Sequence, residues 1–109
     1  MHELAIAESV VATVSENVGA ARVTRVVLEI GRLSGVAAES VSFCFDLCAR
    51  GTALEGARLE IIETPVRARC RQCDGAVEIA DGIGLCGCGS ADLEFLTGRE
   101  LMVREVEVA

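Results

Sequence analysis

The chain has 109 residues, of which 51% are apolar, so it can bury a core as one small domain or as two subdomains. Its formal net charge is −7, and its only aromatic residues are three phenylalanines. An acidic chain repels phosphate backbones, and a module that stacks bases carries more aromatic rings, so these features argue against nucleic-acid binding.

No segment approaches the roughly 18 consecutive apolar residues of a membrane-spanning helix. Residues 1–4 lack the charged and apolar regions of a secretory signal peptide. We therefore expect a cytoplasmic protein with no membrane span. In that compartment, closely spaced cysteines more often bind metal than form disulfides.

The first predicted element is an amphipathic helix over residues 4–18. Apolar residues recur there at the three-to-four spacing of one buried helix face. These residues are Leu4, Ala7, Val10, Val11, Val14 and Val18. Gly19 can end the helix in the left-handed conformation. Residues 1–3 then lie just before the first helical turn.

A strand is predicted over residues 22–30 and a second helix over residues 37–50. In the strand, the alternate positions expected to face the core are Thr24, Val26, Leu28 and Ile30. In the helix, the predicted buried stripe consists of Val41, Cys44, Phe45 and Cys48. Cys44 and Cys48 could bind metal or act as a redox couple, but their place on this stripe favours core packing.

Three further strands are predicted over residues 59–63, 92–96 and 99–108. Pro65 interrupts the chain after the first of them. The buried face of the last strand is expected to carry Met102, Val106 and Val108. This order of elements predicts an α+β fold, with two helices packed on a small mixed or antiparallel sheet and an inserted metal-binding lobe.

Four cysteines form two close pairs, Cys70 with Cys73 and Cys86 with Cys88, separated by twelve residues. Two such pairs can converge on one tetrahedral cation, and Zn²⁺ favours four thiolates with no open position. The sequence therefore predicts a structural zinc site. Two disulfides or four free thiols are the alternatives. The second pair is C-x-C, one residue shorter than the usual C-x-x-C.

The connection between the cysteine pairs suits a small hairpin. Residues 76–80 alternate as a strand, residues 81–82 turn, and residues 83–85 return. Gly75 and Gly89 follow the two pairs closely, and both are expected to need a positive φ where the chain folds back over the sulfur atoms.

The N-terminus combines three nitrogen donors in adjacent residues. These are the Met1 amine, the His2 backbone nitrogen and the His2 imidazole, and His2 is the chain's only histidine. Planar nitrogen ligation selects Ni(II) or Cu(II) over Zn²⁺, and Glu3 could add a carboxylate oxygen. The alternative is a frayed, solvated terminus with no metal.

Signatures of catalysis are missing from the sequence. One terminal histidine cannot build a Cys-His or Ser-His arrangement, and no glycine-rich phosphate loop is present. We therefore expect a protein that is not an enzyme.

Nearly the whole chain resembles the HypA/HybF family of hydrogenase maturation proteins, which are nickel metallochaperones. The matching segments are Met1-His2-Glu3-Leu4, Val26-Val27-Leu28-Glu29-Ile30-Gly31, Ser42-Phe43-Cys44-Phe45-Asp46-Leu47, Cys70-x-x-Cys73 and Cys86-Gly-Cys88-Gly89-Ser90. The order of these segments makes the resemblance specific.

The resemblance implies a nickel-binding α/β lobe over residues 1–66 and 92–109, and a zinc-ribbon lobe over residues 67–91. Carried over, Met1, His2 and Glu3 bind nickel. The zinc ligands are Cys70, Cys73, Cys86 and Cys88. The implied partners are the hydrogenase large subunit and a nickel-handling maturation GTPase, and some relatives also supply urease. A monomer or a homodimer is compatible with the sequence.

Two features depart from the family pattern. Relatives usually have C-x-x-C at the second zinc pair, so coordination by Cys86 and Cys88 is expected to be strained. Some relatives use an acidic residue near the start of the second helix as a further nickel contact. Glu39 is the nearest carboxylate in this chain, but no such role is assigned to it.

Nickel delivery is therefore the function predicted from the sequence. A zinc-ribbon module that binds nucleic acid or protein is one alternative. The net negative charge of the chain argues against the binding of nucleic acid by such a module. A thiol oxidoreductase built on Cys70 and Cys73 is another. It needs a reactive thiolate, usually at a helix N-terminus, whereas this pair follows an extended segment.

Overall fold

The computed structural model describes residues 2–79 and 84–109. In chain order the elements are α1 (Glu3–Val18), β1 (Val23–Gly31), α2 (Ala38–Ala49), β2 (Arg58–Thr64), β3 (Val66–Cys70), β4 (Ala76–Ile79), β5 (Leu93–Thr97) and β6 (Leu101–Val108). The strands form two three-stranded sheets, ordered β2-β1-β6 and β4-β3-β5. The predicted α+β fold with an inserted lobe is confirmed.

The first sheet is mixed, because its central strand β1 pairs in parallel with β2 and antiparallel with β6. Both helices pack on one face of this sheet and bury a valine-rich core around Phe45 and Leu28. A helix restricts the χ1 angle of valine, which lowers the helix propensity of this residue. Packing on the sheet, rather than intrinsic propensity, therefore holds α1 in place. Within the described residues, no helix is long and apolar enough to cross a membrane.

The buried face of α1 differs from the predicted one at its first turn. Leu4 is 50% exposed, whereas the preceding residue, Glu3, is 9% exposed. The buried positions run from Glu3 through Ala7 and Val10 to Val14, and Leu4 lies about 100° around the helix from Glu3. The prediction that Leu4 faces the core was wrong because a hydrogen-bonded carboxylate occupies that position.

The predicted alternation of β1 was wrong at Thr24. This residue is exposed, and its hydroxyl donates to the carbonyl of Glu107 at 3.2 Å, while Val23 joins the core. The pairing of β1 with β6 is irregular between Val23 and Arg25, so the side-chain alternation changes there.

A second irregularity explains the exposure of Met102 in β6. Of the predicted buried set, Val106 packs against the core, but Met102 is 49% and Val108 50% exposed. Val103 packs against the core in addition. The register shifts where β6 passes residues 27 and 28 of β1, which resets the face on which each following side chain lies.

In the second sheet, the central strand β3 pairs antiparallel with β4 and with β5. The predicted strand at residues 76–80 corresponds to β4, but its partner is β3 rather than a returning strand. The predicted turn and Ala80 and Ile83 lie outside the described residues, and residues 84 and 85 are not in a strand.

The two sheets meet at a close approach of two glycines. A Cβ added at Gly31 would lie less than 3.0 Å from the carbonyl group of Gly98. Gly98 itself has φ +116°, which side chains rarely adopt. The N–H of Gly31 donates to the carbonyl of Glu100 at 2.7 Å, so backbone contacts fix the junction between the lobes.

Candidate metal centres

The two cysteine pairs come together at one end of the second sheet. The sulfur atoms of Cys70, Cys73, Cys86 and Cys88 all lie within 4.8 Å of one another. The Sγ atoms of Cys70 and Cys88 are 3.7 Å apart, and those of Cys73 and Cys86 are 3.6 Å apart. These separations exceed the S–S bond length of about 2.05 Å, so the four cysteines are not paired as disulfides.

The geometry of the sulfur atoms fits a zinc ion. Four ligands at about 2.3 Å in a tetrahedron place neighbouring sulfur atoms about 3.8 Å apart, close to the observed distances. The shortened C-x-C pair does not prevent this convergence, because Cys88 reaches Cys70 while Cys86 reaches Cys73. Bound zinc would cross-link the end of β3 to the loop that precedes β5.

Backbone turns hold both pairs in place. In the first, the N–H of Asp74 donates to the carbonyl of Cys70 at 2.8 Å; in the second, the N–H of Gly89 donates to the carbonyl of Cys86 at 2.9 Å. Gly89 has the predicted positive φ, at +93°. Gly75 does not, because Asp74 takes the left-handed conformation in its place at φ +61°.

The thiols influence one another's ionisation. The N–H of Cys73 lowers the pKa of the Cys70 thiol to about 6. The pKa of Cys73 is raised to about 12; the N–H of Gly75 lowers it, but the thiols of Cys86, Cys88 and Cys70 outweigh that effect. One thiolate therefore forms readily and opposes the ionisation of its neighbours. A divalent cation removes this repulsion, which is the behaviour expected of a metal site.

The N-terminal site lies at the start of α1. His2 is the N-cap residue of this helix, its side chain is exposed, and its carbonyl accepts the N–H of Ile6 at 3.0 Å. Its imidazole makes no capping hydrogen bond. Met1 lies outside the described residues. The structure thus fixes the backbone of His2 in the first helical turn and leaves its ring at the surface.

Glu3 connects the two helices. It is 9% exposed, and its Oε2 accepts the backbone N–H of Ala37, the N-cap residue of α2, at 3.1 Å. This hydrogen bond lowers the pKa of the Glu3 carboxyl, so the group is held ionised. This role was not predicted from the sequence. No local pattern in the sequence indicated it, because the donor is a backbone N–H thirty-four residues away.

Cys44 and Cys48 lie partly buried against the core. Burial raises the pKa of the Cys48 thiol, and the nearby Glu8 and Cys44 raise it further. In the described part of the chain, no third histidine, cysteine or carboxylate joins these two thiols in a cluster of metal-binding size. The geometry agrees with the predicted packing role.

Residues 1–108 match a protein-family model, HypA, whose description is "Hydrogenase/urease nickel incorporation, metallochaperone, hypA". The chain belongs to the HypA family. It is 50% identical over 108 residues to the hydrogenase maturation factor HypA of Nostoc sp., covering 99% of this chain and 96% of the relative. It is 49% identical over 109 residues to the protein of that name from Geotalea daltonii, covering 99% of each.

Solved structures of HypA proteins share the fold. The solution structure of the Ni metallochaperone HypA from Helicobacter pylori has a TM-score of 0.68 at 23% identity, over 99% of this chain and 97% of that one. A second solution structure of a HypA protein has a TM-score of 0.70 at 23% identity, over 100% of this chain and 97% of that one. The family resemblance noted in the sequence is therefore confirmed.

Proposed function

We propose that this chain is a cytoplasmic nickel metallochaperone that carries Ni(II) at its N-terminus and delivers it during the maturation of [NiFe]-hydrogenase. It acts by binding and releasing the ion and catalyses no reaction itself. Membership of the HypA family supports this proposal. The observation that carries it within this chain is the exposed His2 at a helix start that Glu3 anchors to the second helix.

In this proposal, Ni(II) binds the Met1 amine, the His2 backbone nitrogen after its amide proton has passed to water, and the His2 imidazole, with a carboxylate oxygen of Glu3. Nitrogen donors from adjacent residues close small chelate rings, so little chain entropy is lost on binding, and the strong planar field favours Ni(II). The His2 carbonyl already accepts a helical hydrogen bond, which restricts the backbone at the chelating residue. The exposed imidazole leaves the ion accessible for ligand exchange with an acceptor.

The second metal in this proposal is a structural Zn²⁺ held by Cys70, Cys73, Cys86 and Cys88. The small core beside these thiols supports that role, because the six buried residues described there are few for an independently stable lobe. Zinc supplies folding energy there and no open coordination position for chemistry.

The partners we propose are those of a nickel delivery route. They are the hydrogenase large subunit, which receives the ion, and a maturation GTPase that also handles nickel. The family description names urease beside hydrogenase as a destination of nickel. Purified apo forms of both enzymes, offered the loaded protein in competition, would distinguish the two destinations.

Nickel titration of the untagged protein tests the proposed site. We expect His2→Ala to keep its zinc and its circular dichroism spectrum but to lose tight nickel binding. Residues added before Met1 should also weaken binding, because the amine becomes an amide. Protons compete for the amine and the imidazole, so nickel affinity should fall as the pH is lowered. Equal nickel affinity in all three proteins would rule out the terminal site.

A further inference from the structure

The four cysteines of the proposed zinc site differ in their exposure. Cys70 and Cys86 are buried, at 0% and 8% exposed, whereas Cys73 and Cys88 lie at the surface. Each close pair in the sequence therefore contributes one buried and one exposed cysteine.

A surface cleft adjoins the two exposed cysteines. It has a volume of about 320 Å³ and is lined by Gln72, Cys73, Cys88, Gly89 and Ser90. A Cβ added at Gly87 or Gly89 would meet nothing within 4 Å, so no other part of the described chain covers the turn that carries Cys88. A small solute can therefore enter the cleft and approach Cys73 and Cys88.

Bound zinc would keep these two sulfur atoms in their reactive form. A thiol that coordinates zinc is deprotonated, and the thiolate rather than the thiol reacts with peroxides. Cys44 and Cys48 differ in both respects, because they are partly buried against the core and belong to no metal-binding cluster among the described residues. Exposure and thiolate character together single out Cys73 and Cys88.

Each exposed cysteine has its sulfur atom beside that of a buried cysteine from the other pair. The Sγ of Cys88 is 3.7 Å from that of Cys70, and the Sγ of Cys73 is 3.6 Å from that of Cys86. A disulfide within the second pair would have to close over Gly87 alone, and so short a ring strains the geometry that disulfides prefer. The arrangement favours disulfides between the pairs over disulfides within them.

We propose that Cys73 and Cys88 are oxidation sites at which hydrogen peroxide converts the zinc ligands into two disulfides, Cys70–Cys88 and Cys73–Cys86, and releases the zinc. This inference rests on the zinc site of the proposed function and not on its nickel site. It gives the second sheet a reversible response to peroxide.

The oxidation takes two steps at each exposed sulfur atom. The Cys88 thiolate attacks one oxygen of the peroxide, the O–O bond breaks, and hydroxide leaves, which makes Cys88 a sulfenic acid. The Cys70 thiolate then attacks the sulfenic sulfur, the S–O bond breaks, and a second hydroxide leaves as the disulfide forms. Cys73 and Cys86 react in the same way. Four thiolates and two peroxide molecules thus give two disulfides and four hydroxide ions, and Zn²⁺ passes to water.

The proposed disulfides would join the chain where zinc joins it. Both link the turn after β3 to the turn before β5, so the two turns stay together while the ion is absent. A dithiol such as dithiothreitol reduces each disulfide, forms its own internal disulfide and returns two thiols to the protein. The four thiols can then bind zinc again.

Peroxide treatment of the purified, zinc-loaded, full-length protein tests this proposal. A chromogenic chelator measures the zinc released, and samples quenched in acid early in the reaction are alkylated and analysed by peptide mass spectrometry. We expect one zinc ion released for every two peroxide molecules consumed, with Cys70–Cys88 and Cys73–Cys86 as the first disulfides. Dithiothreitol followed by Zn²⁺ should restore the zinc content.

The double variant Cys44→Ala, Cys48→Ala is the matched control. It retains the four zinc ligands and should release zinc at the rate of the unchanged protein. Slower release would show that the responsive thiols lie on α2 and would overturn the proposal.

Three further results overturn the proposal: zinc that is retained in excess peroxide, first disulfides that form within the pairs, or sulfinic acids formed without disulfides. Elemental analysis of the untreated protein comes first, since an absence of zinc there overturns the zinc site and this inference with it. Nickel titration of the untreated protein is a separate readout. Failure to bind nickel overturns the nickel site alone and leaves the expected zinc release unchanged.

Discussion

The carboxylate of Glu3 and the backbone N–H of Ala37 form a 3.1 Å hydrogen bond that joins the first turns of α1 and α2. Ala37 caps α2 without a side-chain acceptor, and Glu3 accepts the backbone N–H of this N-cap residue from another helix, as the glutamate of a capping box does within its own helix. Glu3 also lies in the first turn of its own helix, where a negative charge is favourable. One carboxylate thus stabilises the N-terminal ends of both helices.

Two substitutions at Glu3 separate its structural role from its proposed role as a nickel ligand. Glu3→Ala leaves the Ala37 N–H without its acceptor, so we expect a lower midpoint of chemical unfolding. Glu3→Gln retains an acceptor oxygen and should recover much of that stability. Both variants should bind nickel about tenfold more weakly, since an amide is a poorer ligand than a carboxylate.

Chemical unfolding followed by circular dichroism and calorimetric nickel titration measure these two effects. Leu4→Gln serves as a control beside the site, because Leu4 is half-exposed and should change neither quantity. If Glu3→Gln recovers nickel affinity together with stability, the carboxylate anchors the helices and does not bind the ion.

Local spacing in the sequence predicted both helices, the strands other than β3, and the convergence of the four thiols. Helical and strand periodicity extend over several residues, and two cysteine pairs joined by a short connection can reach one point by local turns alone. The structure places those four sulfur atoms within 4.8 Å of one another. These features depend on residues close together in the chain.

Features that depend on distant pairing were not predictable in this way. The exposure of Thr24 and Met102 follows from irregular pairing between β1 and β6, and the register of that pairing is set only when the strands meet. The burial of Glu3 depends on Ala37, thirty-four residues later. From the local sequence alone, a carboxylate is predicted to lie on the solvent-exposed face of a helix unless its distant partner is known.

Gly31→Ala should destabilise the junction between the two sheets. The added Cβ would overlap the backbone of Gly98, so one of the two chain segments at the junction must shift. We expect a loss of about 2–3 kcal/mol, typical of steric overlap at a packed site. Gly87→Ala is the control, because a Cβ there meets nothing within 4 Å. Equal unfolding midpoints for the two variants would contradict the close approach.

The double variant Cys44→Ala, Cys48→Ala should keep both metals. Each substitution removes one partly buried sulfur atom, at a cost of about 1 kcal/mol. Zinc and nickel stoichiometry, with unfolding curves, check the packing role. A collapse of nickel binding in a folded double variant would contradict it.

The Cys48 thiol of the unchanged protein should alkylate slowly. Burial raises the pKa of Cys48 above the ordinary value of 9.0, so the rate of alkylation in the folded protein should keep rising above pH 9.

Cys73→Ala should remove zinc and unfold the second sheet. Three thiolates leave the tetrahedral site incomplete, and the core of this lobe contains only six buried residues in the described chain, two of them the ligands Cys70 and Cys86. Metal binding in such a small unit supplies much of its folding energy, so the loss should exceed that of any single apolar contact. Elemental analysis measures the zinc content, and NMR spectra of the backbone amides distinguish the two lobes. The first sheet has its own core and should remain folded.

Two controls accompany this variant. Removing zinc from the unchanged protein with a chelator should give the same NMR spectrum, and Cys44→Ala is the matched cysteine control. Full zinc occupancy in Cys73→Ala would show that the four thiols do not form the zinc site.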